Sequence, residues 1–167
     1  MKMSAIEISE ILTSRNSVGG VKVAHEYLNA SDKEIKYITF TYTPYNPVGD
    51  MVACTVKKRS EIACELTGPI SPNASAWVFW ENVWYNPTVS SAKLTGVKIR
   101  YVDDTEEILA GEDVLRSDDP KSKMYKMKAE KDKEAEADER KNAIKKKIIW
   151  GAVAVVAALL LITMMRG

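Results

Sequence analysis

The sequence predicts a mostly β protein: an antiparallel β-sandwich of about seven or eight strands, then a long charged helix and a C-terminal transmembrane helix. Three observations predict this. Apolar residues alternate with period two through residues 1–118, and turn residues interrupt the alternation at the spacing of short sandwich strands. Residues 119–147 are dominated by Lys, Glu and Ala and contain no glycine. Residues 148–165 carry no charge.

The strands of the predicted sandwich follow one another along residues 1–118. No long helical period interrupts them, which excludes a βαβ unit and the nucleotide-binding folds built from it. β-branched and aromatic residues fill the third strand almost completely. We predict strands at Ile6–Ile8, Val21–Tyr27, Ile35–Thr43, Val52–Val56, Ile62–Leu66, Ala76–Trp80, Leu94–Val102 and Glu106–Leu109.

The charged segment, residues 119–147, is predicted to be a solvated helical stalk. Asp119 is a suitable N-cap, and Pro120 suits the first helical position because no N–H is needed there. Apolar residues do not recur as a heptad, so a coiled coil is disfavoured. If the stalk runs on into the apolar segment, one helix extends from Pro120 to Met165.

The uncharged segment, residues 148–165, is predicted to anchor the chain in a membrane. As a helix its eighteen residues span about 27 Å, close to the ~30 Å of a hydrocarbon core. Lys145, Lys146 and Lys147 precede it and only Arg166 follows, which predicts a cytoplasmic N-terminal side. The N-terminus has no apolar stretch resembling a signal peptide. We therefore predict a single-pass, tail-anchored protein of the cell membrane with a cytoplasmic domain.

Small residues in the anchor offer one candidate helix-packing face. Gly151, Ala154 and Ala158 fall on one side of a helix, and Ala154 and Ala158 form a small-x-x-x-small pair. Self-association through this face would give a homo-oligomer. Small residues are also common in spans that do not associate, so both alternatives stay open.

Four stretches of the domain resemble a known family. They are KYITFTYTPYNPVGD (Lys36–Asp50), TGPI (Thr67–Ile70), WENVWYN (Trp80–Asn86) and KLTGVKIRYVDD (Lys93–Asp104). They are similar to uncharacterised Ig-like β-sandwich domains of Gram-positive bacteria, related to the FxLYD modules of surface proteins. The resemblance covers residues 15–109, implies an Ig-like sandwich and carries over no catalytic motif. Family members often lie outside the membrane, so a cytoplasmic domain departs from them.

The aromatic cluster between residues 77 and 85 contains the candidate partner surface. Strand alternation places Trp77 and Phe79 on one face and Val78 and Trp80 on the other. We interpret Trp80 and Trp84 as core residues because large aromatic side chains are mostly buried. Trp77, with Phe79 beside it, is then the candidate contact for a partner.

The two cysteines form a possible cross-strand thiol pair. If Val52–Val56 and Ile62–Leu66 form a hairpin centred on Arg59, Cys54 lies opposite Cys64. The cytosol keeps thiols reduced, so we predict two free thiols. In a domain outside the cell the same pair would be poised to oxidise.

An enzymatic function is disfavoured, and we predict neither a metal nor a cofactor. One His and two Cys cannot form a Cys₂His₂ or Cys₄ zinc site, and His25 lies in an apolar register that suits a partly buried His bonded to the backbone. No phosphate-binding loop, dinucleotide fingerprint or nucleophile elbow occurs. Asp103-Asp104 and Glu106-Glu107 could hold a weak Ca²⁺, but they lack the calcium-loop spacing and suit a solvated hairpin end.

These observations predict a membrane-tethered, non-catalytic interaction or scaffold module with the bilayer and a protein as its partners. The net charge of +1 gives no sign of nucleic-acid binding. Two alternatives stay open. One is a small accessory subunit held in a larger membrane complex through its transmembrane helix. The other is a ligand-binding or enzymatic domain that uses the aromatic patch.

Overall fold

The computed structural model describes the backbone of residues 4–164 and the side chains of residues 4–150. Within this part the chain forms nine strands, one short 3₁₀ turn (Gly111–Asp113) and one long helix. The elements are β1 (Ile6–Ile8), β2 (Leu12–Arg15), β3 (Gly20–Asn29), β4 (Ile35–Tyr45), β5 (Ile62–Ile70), β6 (Ser75–Tyr85), β7 (Ser91–Tyr101), β8 (Glu106–Ala110), β9 (Leu115–Arg116) and α1 (Lys123–Met164).

The strands form two sheets that share one apolar core. In the first sheet β3 is central, with β6 along one side and β1 and β2 sharing the other. The second sheet has the order β5-β4-β7-β8. The mostly β, two-sheet fold is as predicted. Every strand pair is antiparallel except β1 with β9, which is parallel, so the prediction of a wholly antiparallel sandwich is wrong in that one pair.

Aromatic side chains of both sheets meet in the middle of the core. Phe40 of β4 is fully buried, and its ring centroid lies 4.9 Å from that of His25 and 5.8 Å from that of Trp80. His25 belongs to β3 and Trp80 to β6, so these contacts join the two sheets. Each buried aromatic ring removes about 150–250 Å² from water, which makes this cluster a main source of sandwich stability.

The segment after β4 differs from the prediction. Val52–Val56 is not a strand, and the predicted hairpin with Ile62–Leu66 is wrong. Residues 52–61 form a loop in which the Cys54 N–H donates to the Arg59 carbonyl (2.9 Å). β5 pairs with β4 instead. Pairing with the long buried strand covers more apolar surface than an isolated hairpin, which is marginally stable at best.

The long helix begins three residues later than predicted, at Lys123 rather than at Pro120. The predicted N-cap Asp119 instead accepts the N–H of Lys121 and closes a turn. Ser122 is the residue that caps α1, since its hydroxyl accepts the Tyr125 N–H (3.2 Å). From Lys123 the helix runs for 42 residues without a break, so its backbone continues from the charged segment into the uncharged one.

The chain divides into two compact units, Met1–Lys126 and Met127–Gly167. The first turn of α1 therefore belongs to the first unit. No helix in the described residues is both long and apolar enough to cross a membrane. The predicted span, 148–165, has described side chains only up to Trp150, and the packing face of Gly151, Ala154 and Ala158 lies beyond them. Both stay predictions.

The turn after β4 requires a glycine. Asn46 Oδ1 accepts the N–H groups of Val48 (3.1 Å) and Asp50 (2.8 Å), and this turn holds Gly49 at φ +89°. We expect Gly49→Ala to lower the free energy of unfolding by about 1 kcal/mol, because L side chains disfavour that φ. Urea denaturation measures the change. Gly96→Ala is the matched control, because an added Cβ would lie 3.7 Å from the Leu109 carbonyl oxygen and the φ of Gly96 is not in the positive range. An equal loss of unfolding free energy there would contradict the explanation.

Candidate partner surface on strand β6

Trp77 and Phe79 project from the outer face of β6. Each side chain is 60% exposed, whereas Val78 between them is buried and Trp84 is fully buried. Trp80 is partly buried against the core. The side-chain directions predicted from strand alternation are therefore confirmed. The role of Trp77 and Phe79 as a partner surface stays a prediction.

The aromatic pair lies on a regular part of the first sheet. Phe79 lies opposite Ala24 of β3, and Leu12 of β2 lies opposite Ala24 on its other side, so the three side chains form one row. Leu12 is also exposed. The Lys22 ammonium lies 5.6 Å from the centroid of the Phe79 ring. The surface is thus an apolar row bordered by a cation, with Trp77 in the next row.

The backbone of the same two residues is directed to the open edge of β6. Glu26 of β3 lies opposite Trp77. Its backbone bonds away from β6, to Ser9: the Ser9 N–H donates to the Glu26 carbonyl, and the Glu26 N–H donates to Ser9 Oγ (2.9 Å each). Backbone groups alternate sides along a strand. Trp77, and Phe79 two residues on, therefore direct N–H and C=O away from β3, where no strand of the described chain pairs with β6.

The histidine lies inside the core and is not part of this surface. His25 is fully buried rather than partly buried as predicted, and its predicted backbone partner is confirmed. A carbonyl can only accept, so Nδ1–H donates to the Glu26 carbonyl (3.0 Å) and Nε2 accepts the Tyr42 hydroxyl (2.6 Å). Burial lowers the pKa of His25 to about 4 and raises the pKa of Tyr42. The imidazole is neutral at pH 7, and both of its nitrogens are hydrogen-bonded.

The acidic residues between β7 and β8 are engaged in ion pairs. Asp103 Oδ2 lies 2.7 Å from Lys33 Nζ, and Asp104 Oδ1 lies 2.9 Å from an Arg100 guanidinium nitrogen. Hydrogen bonds from Lys33, and then from Thr105, lower the pKa of Asp103 to about 2. Among the described residues no three acidic, His or Cys side chains are placed to hold a metal ion. The carboxylates stabilise the turn.

Both cysteines are free and buried. Cys64 lies opposite Phe40 rather than opposite Cys54, so the predicted cross-strand thiol pair is wrong. Burial raises the pKa of Cys64 to about 11. Burial also acts to raise the pKa of Cys54, but the N–H groups of Lys57 and Tyr85 that donate to its Sγ (3.3 Å each) outweigh it and lower that pKa.

We expect both thiols to resist alkylation until the domain unfolds. Iodoacetamide should modify neither Cys54 nor Cys64 in the native chain within minutes, because both are buried. In denaturant without reductant, intact mass should show both modified. A pair that is already oxidised before unfolding would contradict the structure.

The sequence patterns did not predict the buried carboxylate of Glu7. Glu7 of β1 is fully buried and accepts three hydrogen bonds from the start of α1. Its Oε2 accepts the Ser122 hydroxyl (2.8 Å) and the Met124 N–H (2.9 Å), and its Oε1 accepts the Lys123 N–H (3.0 Å). Amides in the first helical turn have no partner within the helix. Alternation between two buried isoleucines predicts an exposed carboxylate here, and no local pattern indicates the distant segment that covers it.

Comparison with known proteins gives no family assignment. No family model matches the chain, and no curated protein matches it. Among solved structures it is similar to IrmA from Escherichia coli (13% identity, 68% of this chain and 92% of that one, TM-score 0.48). It is also similar to a DUF1425 family member from Shewanella sp. pv-4 (16%, 57% and 76%, TM-score 0.38). A third is beta-glucosidase 3B from Thermotoga neapolitana (14%, 64% and 16%, TM-score 0.32). The resemblance to FxLYD-related domains of Gram-positive bacteria finds no support among them.

Proposed function

We propose that this protein is a membrane-tethered, non-catalytic interaction module whose Ig-like sandwich binds a protein partner at the cytoplasmic face. The observation that carries the proposal is the surface formed by Trp77 and Phe79, each 60% exposed on a regular strand. Large aromatic side chains left on a surface mark contact sites, because covering them removes much apolar area from water.

The state of the polar residues favours binding over chemistry. General acid–base catalysis needs a titratable group within reach of a substrate. His25 is fully buried, and the nearest hydroxyl, that of Tyr42, is committed to it. Asp103 and Asp104 are paired with cations. His25 lies opposite Val78 in the strand register, so its side chain is on the buried face of the sheet, away from Trp77 and Phe79.

The tether is supported by the sequence of the C-terminal segment. Residues 148–165 are uncharged and long enough to cross a hydrocarbon core as a helix. The backbone of α1 is helical as far as Met164. Lys145, Lys146 and Lys147 immediately before the segment favour a cytoplasmic domain.

Crosslinking in host membranes tests the contact surface. The full chain should give an adduct with its partner, and Phe79→Lys should abolish the adduct while the domain stays folded, because the replaced side chain is exposed. Ile108→Lys is the matched control, since Ile108 is also an exposed apolar residue of an edge strand. An adduct that survives Phe79→Lys unchanged would exclude this surface.

Thiol labelling of intact cells tests the orientation. The native cysteines are buried, so a reporter cysteine is introduced at exposed Val18 and, in a second chain, at Gly167. A membrane-impermeant maleimide should label the cysteine at 167 and not the one at 18. The reverse pattern would overturn the cytoplasmic placement. If neither cysteine is labelled and the chain is recovered in the membrane-free fraction of the lysed cells, the tether is overturned.

A further inference from the structure

β6 is the longest edge strand among the described residues. Natural sheets guard their edges with lysine, proline, bulges or very short strands. β5 contains Pro69 and a register shift against β4, β8 is five residues long with Glu106 and Glu107, and β9 has two residues. β6 is eleven residues long.

The first half of β6 has none of these guards. Residues 75–80 read SAWVFW, with no charge and no proline. Their pairing with β3 runs in unbroken register from Ser75 to Trp80, and the bulge comes only after Trp80. Nearer the end of the strand the loop after β4 covers the edge, where the Thr55 N–H donates to the Tyr85 carbonyl (2.8 Å). The uncovered part is therefore uncharged, mostly apolar and regularly paired with β3.

We propose that the β6 edge pairs antiparallel with the β6 edge of a second copy of this chain. The proposal rests on the proposed function, because it identifies the partner of the Trp77–Phe79 surface. Pairing would satisfy the outward N–H and C=O groups of both residues and cover both rings in one step. It would join the first sheets of two domains into one continuous sheet.

The alternation of backbone groups limits the register. Residues that exchange hydrogen bonds must both direct their backbone outward, as Ser75, Trp77 and Phe79 do. A two-fold axis beside Val78 then places Trp77 opposite the partner's Phe79, and Phe79 opposite the partner's Trp77. Glu81 lies opposite the partner's Ser75, so no like charges face each other. Cross-strand aromatic pairs of this kind stabilise antiparallel strands.

A second copy fits this edge better than an unrelated peptide does. The same uncharged segment supplies both sides, as an isologous interface requires. The Lys22 ammonium lies over Phe79, the residue that faces the partner's Trp77 in this register, so a cation lies on the same face as the paired rings. No charged side chain within residues 75–80 is present to select a charged peptide.

Disulfide trapping tests the register directly. The full chain is prepared as Trp77→Cys and as Phe79→Cys in detergent micelles. Mild oxidation of a mixture should give about fivefold more disulfide dimer than either variant alone, since opposite Cβ atoms lie about 4.5–5.5 Å apart and need a smaller movement to bridge than diagonal ones at about 7–8 Å. Ile108→Cys, exposed on β8, is the control and should give none above background.

The mass of the chain in micelles is the second measurement, and every chain carries Ala154→Ile and Ala158→Ile so that the candidate packing face of the anchor cannot hold two copies together. The chain with β6 unchanged should be present as two copies and Phe79→Pro as one, since proline removes the outward N–H without touching the bonds to β3. Circular dichroism checks that the variant is folded. Absence of the mixed disulfide, or a two-copy mass that survives Phe79→Pro, overturns the pairing. If pairing fails while Phe79→Lys still abolishes the host-membrane adduct, the proposed function stands with another partner.

Discussion

Replacing Glu7 with alanine should destabilise the domain by about 2–4 kcal/mol and free the start of α1. A hydrogen bond to a charged group contributes about 1.5–3 kcal/mol, and Glu7 accepts three of them from Ser122, Lys123 and Met124. Its charge also lies at the positive end of the helix. Without it, two helical N–H groups and a buried hydroxyl lose their acceptor. Urea denaturation of the full chain measures the loss.

Limited trypsin digestion separates local release of the helix from global unfolding. In wild type the first unit should resist cleavage at Lys123, whose backbone N–H and Nζ are both bonded inside it. In Glu7→Ala, mass spectrometry should find fragments ending at Lys121 and Lys123. Glu7→Gln keeps the size but turns an amide donor towards N–H groups, so we expect most of the loss there too. Glu10→Ala, exposed and three residues away, should change neither readout.

Local patterns predicted those parts of the fold that depend on local chemistry. Alternation distinguished the exposed Trp77 and Phe79 from the buried Val78 and the partly buried Trp80. The faces of a strand follow from side-chain direction alone, and β4 is β-branched or aromatic at most positions. No partner strand has to be known for these statements.

The predictions that were wrong concern features that depend on contacts with a distant segment of the chain. Val52–Val56 has the residues of a strand, but β4 is the better partner for Ile62–Leu66, and that choice is non-local. Asp119 is a good cap by composition, yet the carboxylate of Glu7 reaches the amides that follow Ser122. The open edge of β6 is likewise a property of the strand order, which no single stretch of sequence contains.

The buried pair of His25 and Tyr42 should make the fold sensitive to mild acid. His25 is neutral in the fold, and burial lowers its pKa from 6.5 to about 4, with the nearby charge of Arg116 acting in the same direction. Between these values the unfolded chain binds a proton that the native chain does not. The stabilisation is therefore complete above pH 6.5 and is lost as the pH falls towards 4. At 1.36 kcal/mol for each pKa unit, the loss is about 3 kcal/mol.

The double variant His25→Phe/Tyr42→Phe isolates this contribution, because it removes both members of the hydrogen bond and leaves rings of similar size. Its free energy of unfolding should change far less between pH 6.5 and 4 than that of wild type, as measured by urea titration at each pH. His25→Phe alone should cost more at neutral pH, since it leaves the Tyr42 hydroxyl buried without an acceptor. The pKa of Asp103 lies near 2, so the ion pair with Lys33 persists through this interval in both chains. If the double variant loses as much unfolding free energy between pH 6.5 and 4 as wild type does, other groups cause the acid sensitivity and His25 does not.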